Sequence, residues 1–335
     1  NQGGTTGQYD LSDVPGFDDD ITINSASYTS NAPGNAGAAL AGTGPWTLAN
    51  DQSIVVGATH TYTLVVKVTL DLRTTSAGNN SYTKCGTATP GDPTSGEGLY
   101  NQSKMDTNND GTPEETKEVC GDVPYITTVK TVNSITPLGG NMFNVSYQIQ
   151  VRNIGGANGT YDLIDAPGFD NDFAINSSSY TSNAPGNAGS ALAGIGPWTL
   201  ANDQAILTGA THTYTVVVKV TLDLTAGSGG DNIYTACGSA TPGDPTSGEG
   251  LYNRARVDIN NDGIPEDTSE TCADVPYITS NKSLTTIAPL GGNMYNVTYT
   301  ITVQNLGASA GQYDLLDVPA FDNDITIGSA SYTTT

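Results

Sequence analysis

The sequence predicts an all-β chain of antiparallel β-sandwich units that repeat every 152 residues. Repetition, alternation and punctuation carry that expectation. GQYDLSDVPGFDDDITI at residue 7 returns as GTYDLIDAPGFDNDFAI at 159 and as GQYDLLDVPAFDNDITI at 311, an offset of 152 (159 − 7) with no insertion or deletion. Self-similarity at a fixed spacing decides the organisation of a chain before any local feature does. Within a unit the apolar residues fall on every second position, and Gly/Pro/Asn clusters separate the runs. No apolar stripe at helical spacing competes with them.

Taken along the unit, Phe143, Val145, Tyr147, Ile149 and Val151 alternate with Asn144, Ser146, Gln148, Gln150 and Arg152, the pattern of a strand with one wet face. The YDL and ITI runs around DxPGFD read as two more strands. Tyr62, Leu64, Val66, Val68, Leu70 and Leu72 mark a longer one, repeated 152 residues on. TPLGGN (136–141) and TPGDPTSGEG (89–98) are turns and loops. SYTSNAPGNAG (27–37) is letter-for-letter identical at 179–189, as recent duplication or repeated contacts between neighbours would produce.

GGNMYNVTYTITVQNLG, followed by GQYDLLDVPAFDNDITI, together with GATHTYTVVVKVTLDL, resembles the immunoglobulin-like "conserved repeat domain" family of bacterial cell-surface proteins. The shared features are the Y-T-I-T-V-x-N-x-G strand and the D-x-P step. The resemblance implies immunoglobulin-like sandwiches strung as tandem spacers in long surface or secreted chains. Carrying over the family's start, a unit opens near TTVKTV (127–132). The expected division is then 1–124, a repeat lacking its first strands; 125–276, a complete repeat; and 277–335, the N-terminal part of a third. The segment from about 73 to 124 is outside the plain family pattern. Residue 1 stands at the equivalent of Asn153, so the first unit's opening strands are expected from an upstream stretch of one continuous chain, or from donor-strand addition by another copy. The continuous chain is the favoured route.

Composition narrows the class of partner. Lys and Arg number 11 against 34 Asp and Glu, a net charge of −23, which repels nucleic acid and anionic membrane surfaces and favours cations. No run approaches the length of a membrane span. Cys85, Cys120, Cys237 and Cys272 have the same spacing within each pair and no CxxC step. With one His per repeat a zinc site is not expected, and one disulfide per repeat is, Cys85 to Cys120 and Cys237 to Cys272. Disulfides imply export, hence an extracellular or cell-surface location.

The feature with chemistry in it is DTNNDGTPEE (106–115), repeated as DINNDGIPED (258–267). Oxygen-bearing side chains on alternate residues followed by glycine match the first half of a calcium loop, with hard oxygen ligands and a sharp turn at the sixth position. The candidate ligands are Asp106, Asn108, Asp110, Thr112 through its carbonyl, and Glu114. In the second loop they are Asp258, Asn260, Asp262, Ile264 through its carbonyl, and Glu266. Position 12 holds Lys117 and Ser269, so this is no full EF-hand. Glu115 or Asp267, or a carboxylate from another loop, would have to close the sphere. The alternative is a solvated Asx-type turn.

Asp18 and Asp20 of GFDDD form a weaker candidate for a second ion, ordinary strand-entry turns using the same residues. His60 and His212, with no nucleophile and acid arranged near them, read as surface strand residues. Trp46 and Trp198 read as covers of the sandwich end, with sugar stacking as the alternative. Lys130 and Lys282 open the first strand, where some surface sandwiches form a Lys–Asn isopeptide crosslink, but nothing in the sequence identifies the acid partner. Sequons such as those at Asn101 and Asn144 carry little weight in so Asn- and Ser-rich a chain. No catalytic constellation is present, so the chain is expected not to be an enzyme. It is expected to be part of a calcium- and disulfide-stabilised surface fibre or stalk that contacts copies of itself or neighbouring repeats. An adhesin that binds glycan or another cell is the alternative.

Overall fold

A computed structural model describes residues 1–73 and 77–334, and every regular element in them is a strand. The first group is β1 (Gly7–Pro15), β2 (Ile21–Ala32), β3 (Asn35–Leu40), β4 (Trp46–Ile54), β5 (Tyr62–Leu70), β6 (Asn101–Asp106) and β7 (Glu115–Val119). The second is β8 (Ile126–Gly139), β9 (Met142–Asn153), β10 (Gly159–Pro167), β11 (Phe173–Ser182), β12 (Ala191–Leu192), β13 (Trp198–Ile206), β14 (Thr211–Leu222), β15 (Asn253–Asp258) and β16 (Asp267–Thr271). β17 (Ile278–Gly291) and β18 (Met294–Asn305) follow as a hairpin.

All pairings are antiparallel. In the second group β13-β10-β15-β16 form one sheet and β12-β11-β14-β9-β8 the other. The inner faces meet because each strand alternates. β9 buries Phe143, Val145, Tyr147, Ile149 and Val151, and β14 buries Tyr214, Val216, Val218, Val220 and Leu222. They pack on Tyr161, Leu163, Leu200, Ala255 and Val257 of the opposite sheet. Burying aliphatic and aromatic side chains at about 1.5–3 kcal/mol each is the main stabilising term. β8 belongs to the second sheet by its ladder with β9, yet its first turn also reaches β16 of the first. The Thr128 and Lys130 amides donate to Asp267 Oδ2 and Ser269 Oγ. The all-β expectation holds, with the expected offset preserved strand for strand.

The first group forms β4-β1-β6-β7 and β3-β2-β5. Here β5 carries no strand where its counterpart β14 carries β9. Its core is correspondingly small, centred on Ala26, Trp46 and Leu48. The β17–β18 hairpin repeats the sequence of β8–β9 but keeps its apolar face bare, with Leu284, Ile287, Tyr295 and Val297 exposed.

Candidate functional site

The acidic loop is the tip of the β6–β7 hairpin, and its copy is the tip of β15–β16. Asp106 ends β6 and folds its carboxylate back over the turn. Its Oδ1 accepts the amides of Asn108 at 3.0 Å and Asn109 at 2.7 Å, and its Oδ2 accepts that of Gly111 at 2.8 Å. Asn108 Oδ1 and Asp110 Oδ1 accept the amides two residues on, from Asp110 and Thr112. Glu114 closes the loop by accepting from the Thr107 amide at 2.6 Å. This winding needs left-handed backbone at Asn109 (φ 62°) and Gly111 (φ 83°), and asparagine and glycine tolerate it. The second loop repeats the set through Asp258, Asn260, Asp262, Ile264 and Glu266.

The winding brings carboxylate oxygens of Asp106, Asp110 and Glu114 within 4.8 Å of one another, and likewise those of Asp258, Asp262 and Glu266. Like charges this close repel unless a cation or protons intervene. The donor set is all oxygen, which suits calcium. Glu115 and Asp267 lie outside the group. Glu115 pairs with Lys117 at 3.1 Å, and the Asp267 carboxylate is occupied by the Thr128 amide on β8.

Two acids that the sequence pattern does not flag stand beside each loop. Asn261 Nδ2 donates to Asp203 Oδ1 at 2.8 Å, and the Asp203 amide donates to Asp162 Oδ1 at 2.6 Å. Asp203 sits at φ 47° in an irregular stretch of the β10–β13 ladder. A cavity of about 120 Å³ between them is lined by Asp162, Asp203, Asp258 and Asn260. Asn109, Asp51 and Asp10 make the same chain of contacts in the first copy.

Asp18 and Asp20, with Asp19, lie close enough to share an ion, but their carboxylates are already engaged as backbone clamps. Asp18 accepts the amides of Asp20 and Thr83, and Asp20 those of Asn80 and Ser81. They pin the strandless stretch after β5 to the start of β2.

A third acid does the same for the long loop, and no sequence signal pointed to it. Glu249, 2% exposed, accepts the amides of Gly238 at 2.8 Å, Ala240 at 2.6 Å and Thr246 at 3.0 Å. Glu97 repeats the arrangement with Gly86, Ala88 and Thr94. These amides hold both carboxyls below the usual glutamate value of 4.5. A carboxyl depressed on folding contributes stability that is present above its unfolded value and lost as the pH falls through its folded one. In an acid titration the amide proton shifts of Gly238 and Ala240 should therefore move together with a midpoint below 4.5. A midpoint at or above that value would break the assignment.

The disulfides Cys85–Cys120 and Cys237–Cys272 are formed, with Cα atoms 5.8 and 5.9 Å apart. Trp46 and Trp198 are buried, each indole donating to a backbone carbonyl at 3.0 Å, and such a ring presents no face to a sugar. One expectation is corrected: His212 is no surface residue. It is 6% exposed, because β14 turns it inward to Tyr161 Oη at 2.8 Å, and that hydroxyl also meets Tyr214 Oη.

The joint between consecutive units is built the same way twice. The amides of Tyr125 and Tyr277 donate to Asn153 Oδ1 and Asn305 Oδ1 at 3.3 and 3.1 Å. Asn153 and Asn305 also bind the Ala157 and Ser309 carbonyls. Glycine follows two residues on because a Cβ at Gly155 or Gly307 would lie 2.3 Å from backbone of the incoming segment.

No known protein-family profile matches the chain, and a comparison with curated proteins returns no match. Among solved structures the chain is similar to the major pilin subunit BcpA of Bacillus cereus, at 14% identity and a TM-score of 0.28, covering 81% of this chain and 71% of that one. For a single-substitution variant of BcpA the values are 13%, 0.29, 89% and 85%. For the BSP domain of a biofilm-associated protein they are 10%, 0.24, 80% and 53%. At such scores the likeness bears on no residue and no activity.

Proposed function

We propose that this chain is a segment of an exported structural fibre or stalk on a bacterial cell surface, built of β-sandwich units joined head to tail. The observation that carries the reading is the repeated joint. One unit passes into the next without a linker, and the same asparagine and glycine lock both passages by the same hydrogen bonds. A binding module that acts alone has no need of a fixed relation to its neighbour, whereas a spacer does. The bare apolar face of β17–β18 belongs to the same reading, since the equivalent face of β8–β9 is covered by its own unit. Calcium at the two hairpin tips and one disulfide per unit would stiffen the array.

The test is direct. Negative-stain electron micrographs of native material are expected to show straight filaments with a regular axial repeat, and a more flexible form in excess chelator. Dispersed particles the size of one chain, in calcium and in chelator alike, would overturn the proposal.

A further inference from the structure

Lysine is almost never fully buried without a reason, and β8 goes out of its way to bury one. Along this strand Val129 points to solvent at 52% exposure while Lys130 points into the sandwich at 3%. A slip of one residue would reverse the two. Inside, Lys130 Nζ is ion-paired with Asp165 Oδ1, both side chains fully buried, and lies 5.0 Å from the centre of the Tyr147 ring. The other oxygen, Asp165 Oδ2, accepts Asn253 Nδ2 at 3.1 Å. Asn253 is also fully buried, and its Oδ1 has no partner. One carboxylate therefore holds an amine and an amide side by side, away from water, each on a different strand: β8, β10 and β15.

From this geometry we infer that Lys130 and Asn253 condense to a covalent isopeptide crosslink, with Asp165 as the proton carrier. Burial pulls the Lys130 ammonium down from its ordinary value, which favours transfer of a proton to Asp165 and leaves a neutral amine. The amine lone pair attacks Cγ of Asn253, forming the Nζ–Cγ bond. Asp165 passes a proton from the attacking nitrogen to Nδ2, the Cγ–Nδ2 bond breaks, and ammonia leaves. Of the five protons on the ammonium and the amide, one stays on the new amide nitrogen, three leave with ammonia and one remains on Asp165. No oxidant or cofactor enters. The first copy supplies an internal control: Asp13 and Asn101 form the same carboxylate–amide pair at 3.0 Å, and among the described residues no lysine is ion-paired with Asp13.

Intact-mass spectrometry of the full chain with its disulfides reduced should read one ammonia below the sequence mass. Proteolysis should yield a branched peptide joining the Lys130 and Asn253 segments. Lys130→Arg or Asn253→Ala should restore the full mass, and Asn101→Ala should leave the loss in place. Should either of the first two variants fail to fold, the branched peptide of the unaltered chain decides. An unaltered chain at full sequence mass would overturn the inference. So would an ammonia loss that maps to a cyclic imide, for instance at Asn158–Gly159, with no branch.

Discussion

Replacing Cys237 and Cys272 together by alanine should lower the stability of their unit by about 3–4 kcal/mol, the chain-entropy value for a loop of this length. The two cysteines are 35 apart in sequence. Between β14 and β15 the chain runs from residue 223 to 252 without a strand, so few ladder hydrogen bonds oppose its release. What holds it is the disulfide to the end of β16, the Glu249 clamp, and the Tyr234 hydroxyl on Asp274 at 2.9 Å. Denaturant unfolding of the variant, with Cys85–Cys120 left intact, reads the difference as a lowered midpoint for one of the two units. An unchanged midpoint would mean that the carboxylate clamps alone fix the loop.

Calcium is expected to stabilise the units by about 2.7 kcal/mol per loop at 100-fold excess over its dissociation constant. For a unit of this size that corresponds to a rise in melting temperature of roughly 5–10 °C. The cause is the gathering of three carboxylates within 4.8 Å at each hairpin tip, where a divalent ion replaces mutual repulsion by attraction. Asp258→Asn together with Asp262→Asn should remove the gain from the second loop and leave that of the first. Equal melting temperatures in millimolar calcium and in chelator would reduce both loops to polar turns.

Local pattern made much of this fold legible. The alternation of β9 and of β14 follows from period two alone, and the 152-residue offset carries each assignment from one copy to the next. Equal cysteine spacing sufficed for the disulfides. What stayed hidden depends on which distant strands meet. His212 looks like a surface residue until Tyr161 and Tyr214 are placed over it. Lys130 has an acid partner only once β10 lies beneath β8, and its amide neighbour comes from β15. Glu249 sits in a stretch that is nearly identical in both copies, yet its role appears only when the loop folds back so that three amides converge on it. The acidic loops were readable as oxygen-rich turns, but Asp162 and Asp203 reach them across the sheet from β10 and β13.

The position of the acidic loop between β15 and β16 acquires a mechanical meaning when the chain is pulled from its ends. Force enters a unit at β8 and leaves it after β16. A bond from Lys130 to Asn253 carries that force straight across the sandwich, so the strands from β9 to β14 bear none of it. Beyond Asn253 the load must run along β15, around the Asp258–Glu266 tip and back along β16. These two strands pair in register, Asn253 with Thr271 through Val257 with Asp267, and tension would peel their ladder open toward the tip. The acidic loop is then the one extensible link in each unit, and the ion that closes it sets the tension at which the fibre begins to lengthen.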